Sequence, residues 1–250
     1  MENTTIKFLK SLQQKKFRNI HNEFIVEGVK MVNELIQSEF KVKAIYATDT
    51  QDLITSDTTP ILISDKELSR ISGLKSPNKV LAVVEIPEPK IKHEELKDKL
   101  SIVLENIQDP GNLGTIIRIA NWYGIENILC SEDTVECYNP KVTQATMGAI
   151  FRVKVHYCDI YSLIEKAQEW QKFNVYATHL SGDNIHDKEL NNSGFIIMGN
   201  ESKGISKRIK DEFISKIKLP SYPPNDDQME SLNVAIATAI TVAEFRRRII

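Results

Sequence analysis

The sequence has few cysteines and none of the common glycine motifs for nucleotides. Its 250 residues include three cysteines, Cys130, Cys137 and Cys158. Because their number is odd and no C-x-x-C pair occurs, they predict reduced structural thiols in a cytoplasmic protein rather than disulfides or zinc ligands. The sequence contains neither a G-x-x-x-x-G-K-[ST] segment nor a G-x-G pair. Nucleotide hydrolysis and dinucleotide binding by a Rossmann fold are therefore disfavoured.

Signals for membrane insertion, export and metal binding are also missing from the sequence. The longest apolar run near the C-terminus, Val234 to Ala243, has about half the length that a bilayer-spanning helix needs. The first five residues lack the basic and then apolar pattern of a signal peptide, and no cluster of metal ligands is evident. We therefore expect a cytoplasmic protein that uses no metal and binds no membrane. Hydrophobic residues make up 41% of the chain, enough for a substantial core.

Acidic residues are in slight excess, but the basic residues are grouped. The formal net charge is −2, which by itself does not favour nucleic acid. Two basic groups stand out, and their members are Lys7, Lys10, Lys15, Lys16 and Arg18 in the first and Lys203, Lys207, Arg208 and Lys210 in the second. Local basic patches favour phosphate contact more than the overall charge does. The same pattern is compatible with solvated helix faces.

Hydrophobic periodicity predicts a small α/β domain over residues 1–86. The expected helices are residues 4–18 and 29–37, and the expected strands are residues 24–26, 42–47, 61–63 and 80–86. A proline-containing, charged stretch then predicts a linker over residues 87–100.

The remaining residues, 101–250, alternate short apolar strands with helices. The predicted strands are 102–104, 127–129, 153–155, 175–177, 195–198 and 217–219, and the predicted helices lie near 112–123, 140–149, 160–172, 205–213 and 233–247. This alternation predicts a mostly parallel sheet covered on both faces by helices. Ligands of such sheets bind beyond the carboxyl ends of the strands, so functional residues are expected there.

Three segments near strand ends or helix starts carry the polar residues of interest. Residues 106–118 read N-I-Q-D-P-G-N-L-G-T-I-I-R and expose backbone N–H groups at a helix start. Residues 199–204, G-N-E-S-K-G, contain glycines that permit close approach of a ligand. Residues 231–237 read S-L-N-V-A-I-A, and Ser231 can cap the last helix. Each segment alone is also compatible with an ordinary turn, a tight loop or a helix cap.

Together, in this order and spacing, the three segments resemble motifs 1, 2 and 3 of the SpoU/TrmH family of RNA 2′-O-methyltransferases. Residues 24–28 and 79–84 resemble the L30e-like substrate-binding domain of that family, and residues 145–151 are also family-like. The resemblance implies an α/β fold in which a small L30e-like domain precedes a trefoil-knotted SPOUT domain with a parallel sheet. It further implies S-adenosylmethionine as methyl donor and a homodimer whose active site spans the subunit interface.

The resemblance also implies which residues form the site. The implied catalytic residues are Asn112, Arg118, Glu201, Ser231 and Asn233, and the implied donor-binding residues are Thr178, Gly199, Leu219 and Leu232. His179 fits a polar loop residue better than a catalyst. A guanidinium does not readily give up its proton, so our hypothesis is that Arg118 binds an RNA phosphate or polarises the 2′-oxygen.

The implied activity is methyl transfer to a ribose 2′-hydroxyl in RNA, with 23S-type ribosomal RNA favoured over transfer RNA. Alternatives are the same reaction on transfer RNA and a non-catalytic RNA-binding protein that keeps the fold. The sequence departs from the family pattern at Ile119, where threonine is frequent, at Ala235, where serine is frequent, and in the longer stretch 221–230. None of these departures removes an implied catalytic side chain.

Overall fold

The chain contributes to two structural units in an interleaved order. The computed structural model describes residues 1–88, 90–222 and 231–247. Unit 1 comprises Met1–Glu88 and Glu136–Arg152, and unit 2 comprises Pro89–Val135 and Val153–Ile250. Residues 136–152, which the sequence analysis groups with the C-terminal domain, thus belong to unit 1. Residues 223–230, which include most of the family-atypical stretch, and Pro89 of the expected linker lie outside the described residues.

Helices and strands alternate along most of the described chain. The α-helices are α1 (Asn3–Ser11), α2 (Lys15–His21), α3 (Val29–Ile36), α4 (Asp65–Ile71), α5 (His93–Lys97), α6 (Pro110–Trp122), α7 (Pro140–Thr146), α8 (Ile160–Ala167) and α9 (Val234–Arg247). The strands are β1 (Glu23–Glu27), β2 (Val42–Ala47), β3 (Ile61–Leu62), β4 (Val80–Glu85), β5 (Leu100–Leu104), β6 (Asn127–Cys130), β7 (Lys154–Tyr157), β8 (Val175–Asn184), β9 (Gly194–Met198) and β10 (Ser215–Lys218).

Unit 1 is built on a four-stranded sheet in the order β1-β4-β2-β3. Strand β4 runs antiparallel to β1 and β2, and the short β3 runs parallel to β2. Apolar residues of α1 and α4, among them Leu9 and Ile71, pack with Ile25 and Leu81 of the sheet in one core. Helix α7 packs against β1, so residues 140–146 complete this unit.

Unit 2 is built on a six-stranded, wholly parallel sheet in the order β10-β8-β9-β5-β6-β7. Because α5 and α8 pack onto the sheet, its central strands are buried, with Val103 and Ile197 fully enclosed. Leu96 of α5 is part of this core, so part of the stretch predicted as a linker is a packed helix. Among the described residues, no helix has the length and the apolar character required to cross a membrane.

Several local sequence predictions need correction. The helix predicted over residues 4–18 is two helices, α1 and α2. The helix predicted near residues 205–213 was wrong, because only a single 3₁₀ turn forms there, at Asp211–Phe213. Helix α4 was missed although Ser64 and Glu67 form a complete capping box before and within its first turn, a pattern that is readable from sequence.

Arg18, counted above with the first basic group, is an internal residue of unit 1. Its side chain is 2% exposed and forms a two-point ion pair with Glu136, with Nε–Oε1 and Nη2–Oε2 distances of 3.0 and 2.6 Å. A third N–H of the guanidinium, on Nη1, donates to the Leu12 carbonyl at 2.9 Å. Arg18 therefore joins α2 to the segment of unit 1 that begins at Glu136. The lysines of the first basic group are exposed.

We predict that Arg18→Ala lowers the free energy of unfolding by about 3 kcal/mol, since it leaves a largely buried carboxylate without its cation. Urea denaturation checks this value. The double variant Arg18→Met/Glu136→Leu should recover most of the loss, and Lys16→Ala, on the exposed side of α2, should change stability by less than about 0.5 kcal/mol. A single variant as stable as wild type would contradict the assignment.

Candidate active site

Asn112 is fixed at the start of α6, directly beyond the carboxyl end of β5. Asp109 is the N-cap, and its Oδ1 accepts the Asn112 backbone N–H at 2.8 Å. Pro110 occupies the first helical position, where its missing N–H costs nothing. The D-P-G-N turn therefore holds the Asn112 side chain in the first turn of the helix, at the strand-end edge where ligands of parallel sheets bind.

Glu201 stands on a small hairpin that follows β9. The backbone groups of Asn200 and Gly204 pair with each other, with N···O distances of 3.1 and 2.8 Å. Gly199 has to be glycine, because a Cβ there would lie 2.4 Å from the Gly204 carbonyl carbon. The Asn200 side chain accepts two N–H groups of the hairpin and donates to the Asn106 carbonyl at 2.8 Å. The hairpin is thereby attached to the first motif, and Glu201 is exposed on it.

Asn233 is the N-cap of α9. Its Oδ1 accepts the backbone N–H groups of Ala235 and Ile236 at 3.0 and 3.3 Å. The prediction that Ser231 caps this helix was wrong. Ser231 is exposed and forms no hydrogen bond within the described part of the chain. Asn233 caps α9 better because it immediately precedes the first helical residue, Val234.

A chain of hydrogen bonds joins these three residues. Asn112 donates from Nδ2 to Glu201 Oε1 at 2.8 Å, and Asn233 donates from Nδ2 to Asn112 Oδ1 at 2.9 Å. The partners are separated by 89 and 121 positions in the chain. Because Asn233 Oδ1 is engaged with helix N–H groups, its amide can only donate here, and this fixes the orientation of Asn112 in turn. Glu201 Oε2 has no hydrogen-bond partner among the described residues.

Arg118 lies on the exposed face of α6. Thr115, Arg118 and Trp122 share this face at helical spacing, all three are exposed, and Trp122 is 84% accessible. The Arg118 guanidinium makes no hydrogen bond or ion pair with another described residue. It is therefore not part of the Glu201–Asn112–Asn233 network within one chain, but its charge is available to a ligand or to another molecule.

The implied donor-binding residues follow neighbouring strands. Gly199 and Leu219 directly follow β9 and β10, which flank β8 in the sheet. Thr178 begins the stretch 178–182, which is looped out between two segments of β8 that pair with β10, and its hydroxyl donates to the Ile197 carbonyl at 3.2 Å. Leu232 precedes Asn233 and is 45% exposed. Leu219 is half-buried, so Leu232 presents the more exposed apolar side chain of the two.

Glu105, which the sequence did not single out, and Asn106, which opens the first motif but was given no role, shape this edge. Glu105, at the end of β5, is buried and accepts hydrogen bonds from the Tyr161 hydroxyl at 2.6 Å and from the Ser206 backbone N–H at 2.9 Å. Asn106 has a left-handed backbone with φ of 55°, and its carbonyl receives the Asn200 amide. The polar E-N pair at the end of an apolar strand was the available signal for both.

The second basic group is only partly free. The Arg208 guanidinium lies over the Tyr161 ring at 3.7 Å from its centre, and Lys210 approaches Glu165 at 3.8 Å. Lys203 and Lys207 are exposed. His179 contacts Ser181 in its own loop, with 2.8 Å between Nδ1 and Oγ, which is typical of a polar loop residue. No group of three or more His, Cys, Asp and Glu side chains within the described ranges could hold a metal ion.

The sequence matches the SpoU rRNA Methylase family over residues 99–243 and an MRM3-like substrate binding domain over residues 3–82. The chain belongs to the SpoU rRNA methylase family, and it is a methyltransferase. This confirms the family, the enzyme class and the fold expected from the sequence, and the fold implies the trefoil knot.

Individual relatives agree with this assignment. The chain is 29% identical over 249 residues to the Bacillus subtilis 23S rRNA (guanosine(2553)-2′-O)-methyltransferase RlmP, covering 98% of this chain and 97% of the relative. A putative RNA methyltransferase of the TrmH family from Porphyromonas gingivalis superposes with a TM-score of 0.87 at 31% identity over 99% of each chain. An AdoMet-bound rRNA methyltransferase from Sinorhizobium meliloti gives 0.83 at 26% identity, over 99% and 96% of the chains. This neighbour thus binds the methyl donor that the sequence resemblance implies.

We predict that Asn233→Asp reduces methyl transfer about 100-fold, as loss of one preorganised donor does elsewhere, while leaving stability nearly unchanged. Aspartate is as good an N-cap as asparagine but cannot donate to Asn112. Asn233→Ala should lose the same activity and also about 1 kcal/mol of stability.

The measurements are turnover with labelled donor and urea denaturation. Asn192→Asp, the same change at an exposed position of unit 2, is the control. Near-normal turnover in Asn233→Asp would show that the Asn233–Asn112 bond is dispensable.

Proposed function

We propose that this protein transfers a methyl group from S-adenosylmethionine to a ribose 2′-hydroxyl of 23S ribosomal RNA. Support comes from family membership and from the similarity over nearly the whole chain to a relative named for this reaction on a guanosine. The match of residues 3–82 to a substrate binding domain favours RNA contact by the N-terminal residues. A ribosomal RNA substrate also favours the cytoplasmic location expected from the sequence.

The observation that carries the proposal is the hydrogen-bonded chain Glu201–Asn112–Asn233 at the strand-end edge of the parallel sheet. A protein that only bound RNA would need neither a carboxylate held by an amide that a second amide orients nor a glycine hairpin to present it. Glu201 Oε2 remains as the acceptor that this network offers to a ribose hydroxyl.

The chemistry requires placement above all. S-adenosylmethionine, when bound, supplies an electrophilic methyl on a sulfonium sulfur. With the donor bound, the ribose 2′-oxygen would form a bond to that methyl carbon while the carbon–sulfur bond breaks, S-adenosylhomocysteine would leave, and the hydroxyl proton would pass to solvent water. Holding the two reactants in line can contribute about 7–11 kcal/mol. We assign this task to Asn112, Glu201 and Asn233, with Ser231 close by in the same segment, and donor contacts to Thr178, Gly199, Leu219 and Leu232.

Arg118 is assigned to the RNA. Its exposed guanidinium forms strong, geometrically defined contacts with phosphate, and its positive charge next to a developing alkoxide stabilises the transition state. Both roles use the protonated group, in keeping with the chemistry of guanidinium.

We further propose a homodimer formed through α6 and α9. Leu232, Ile236 and Ile240 follow one another at single-turn spacing, and Ile236 and Ile240 are 53% and 41% exposed. Arg246 of α9 donates to the Tyr123 carbonyl that ends α6, so the two helices are neighbours and Trp122 extends the apolar surface. Several large apolar side chains exposed on two neighbouring helices are typical of a protein interface. Arg118 lies on the same face of α6 as Trp122, so the second subunit of this dimer would contact Arg118.

The first test is methyl transfer in vitro. We expect tritium from labelled S-adenosylmethionine to enter 23S ribosomal RNA prepared from a strain lacking the enzyme, and reverse-transcription mapping to locate the label at a ribose 2′-oxygen. Arg118→Ala should abolish transfer, while donor affinity measured by calorimetry stays within about twofold. Arg118→Lys, which keeps the charge but not the fork geometry, should retain partial activity.

Transfer RNA serves as the second substrate in the same assay. Labelling of transfer RNA alone would replace the ribosomal assignment, and donor binding without transfer to any RNA would refute the proposed reaction. Near-normal turnover by Arg118→Ala would exclude the role given to Arg118.

We predict that Ile236→Glu/Ile240→Glu converts the dimer into monomers and abolishes methyl transfer, because it places carboxylates in an apolar interface. Sedimentation equilibrium should give twice the 28.5 kDa chain mass for wild type and the single mass for the variant. Ile20→Glu, which is equally exposed but lies on α2, should remain dimeric and active. A wild-type protein that sediments as a monomer at micromolar concentration would refute the dimer.

A further inference from the structure

Unit 1 contains a cavity that the proposed reaction does not use. Its volume is about 350 Å³, and it is lined by residues of β1, of the turn after α4 and of α7. This volume falls at the lower end of the range of small-ligand sites, about 300–1,000 Å³. None of the residues assigned to catalysis or donor binding lines it. All lining residues belong to one structural unit.

The inner wall of the cavity carries a buried carboxylate. Glu27, at the end of β1, is 7% exposed. Its Oε1 accepts the Gly73 backbone N–H at 2.9 Å and its Oε2 accepts the Ser72 hydroxyl. No lysine or arginine among the described residues pairs with it. Since each carboxylate oxygen can accept two hydrogen bonds, one acceptor position per oxygen remains for a ligand that brings N–H donors.

The outer wall carries a cation and an amide. Lys141 and Gln144 both line the cavity and are one turn apart on α7. Lys141 is exposed, whereas Glu27 is enclosed. No carboxylate within the described ranges pairs with the Lys141 ammonium group. Ile25, Leu74 and Pro140 supply apolar surface between these polar groups. The cavity therefore combines an acceptor inside, apolar walls and a positive charge outside.

A nucleotide has the complementary pattern. Its base is flat and apolar on both faces and carries N–H donors on one edge, and its phosphate is anionic. Proteins that read RNA sequence take unstacked bases of loops and bulges into such sites and contact their Watson–Crick edges. Guanine, which offers adjacent ring N–H and amino donors, matches both free acceptor positions of Glu27. Adenine and cytosine offer an amino group without an adjacent ring N–H, and uracil offers a ring N–H without an amino group.

We propose that this cavity binds one extruded nucleotide of the RNA substrate, with the base amino edge on Glu27 and the phosphate on Lys141. The site is a substrate anchor distinct from the methylated ribose, and its identification rests on the RNA function proposed above. It gives preference for an amino-bearing base, guanine first, at a position other than the reacting nucleotide.

The test fills or neutralises the cavity without touching unit 2. We expect Ala145→Leu, which adds bulk to a cavity-lining position, and Lys141→Ala to weaken binding of 23S ribosomal RNA about tenfold or more. Donor affinity should not change. Lys66→Ala, another exposed lysine of unit 1 outside the cavity, is the matched control. Photocross-linking with RNA containing 6-thioguanosine should label a peptide that contains residues 73–74 or 140–145.

Circular dichroism and urea denaturation establish that each variant is folded before binding is compared. RNA affinity equal to wild type in both folded variants, or cross-links confined to peptides outside the cavity, would overturn the anchor site. Where wild-type protein methylates RNA normally, either of these two results refutes the anchor site and leaves the proposed function standing. Absence of RNA binding and methylation by wild type would refute the proposed function itself.

Discussion

The orientation of one asparagine side chain determines the candidate active site. The Asn112 backbone N–H donates to the side chain of the N-cap Asp109. The Asn112 side chain accepts a hydrogen bond from Asn233 and donates one to Glu201. Since Asn233 uses its oxygen to cap α9, helix formation and site geometry depend on the same amide. Glu201 and Asn233, at the two ends of this chain of hydrogen bonds, belong to different segments, and no local sequence pattern predicts that the two come together. Asn112 and Glu201 follow β5 and β9, which are adjacent parallel strands whose carboxyl ends lie at one edge of the sheet.

The sequence was most informative where a pattern has a direct physical cause. Six apolar strands alternating with helices predicted the parallel sheet, and all six appear in it. The order of the three motifs indicated the family, and Asn112 of the first motif is hydrogen-bonded to Glu201 of the second and to Asn233 of the third. Arg118 was placed correctly on α6. Its position on a face of the helix away from the Glu201–Asn112–Asn233 network could not be predicted from the sequence.

Other features could not be read from local patterns, because they depend on distant partners. The backbone N–H of Ser206 is taken by buried Glu105, and that of Arg208 by the Ser206 hydroxyl. Only the 3₁₀ turn at Asp211–Phe213 forms where the helix near residues 205–213 was predicted. Arg18 looked like part of a phosphate-binding group, but Glu136, 118 positions away, makes it an internal residue. Charge in a sequence shows neither burial nor pairing.

The interleaved course of the chain has a consequence for biosynthesis. Unit 1 takes its last elements from residues 136–152, after the first two strands of the six-stranded sheet have already been made. The buried guanidinium of Arg18 therefore emerges from the ribosome well before its counter-ion. Domains commonly fold one after another during translation. Here unit 1 stays incomplete until residues 136–152 have been synthesised.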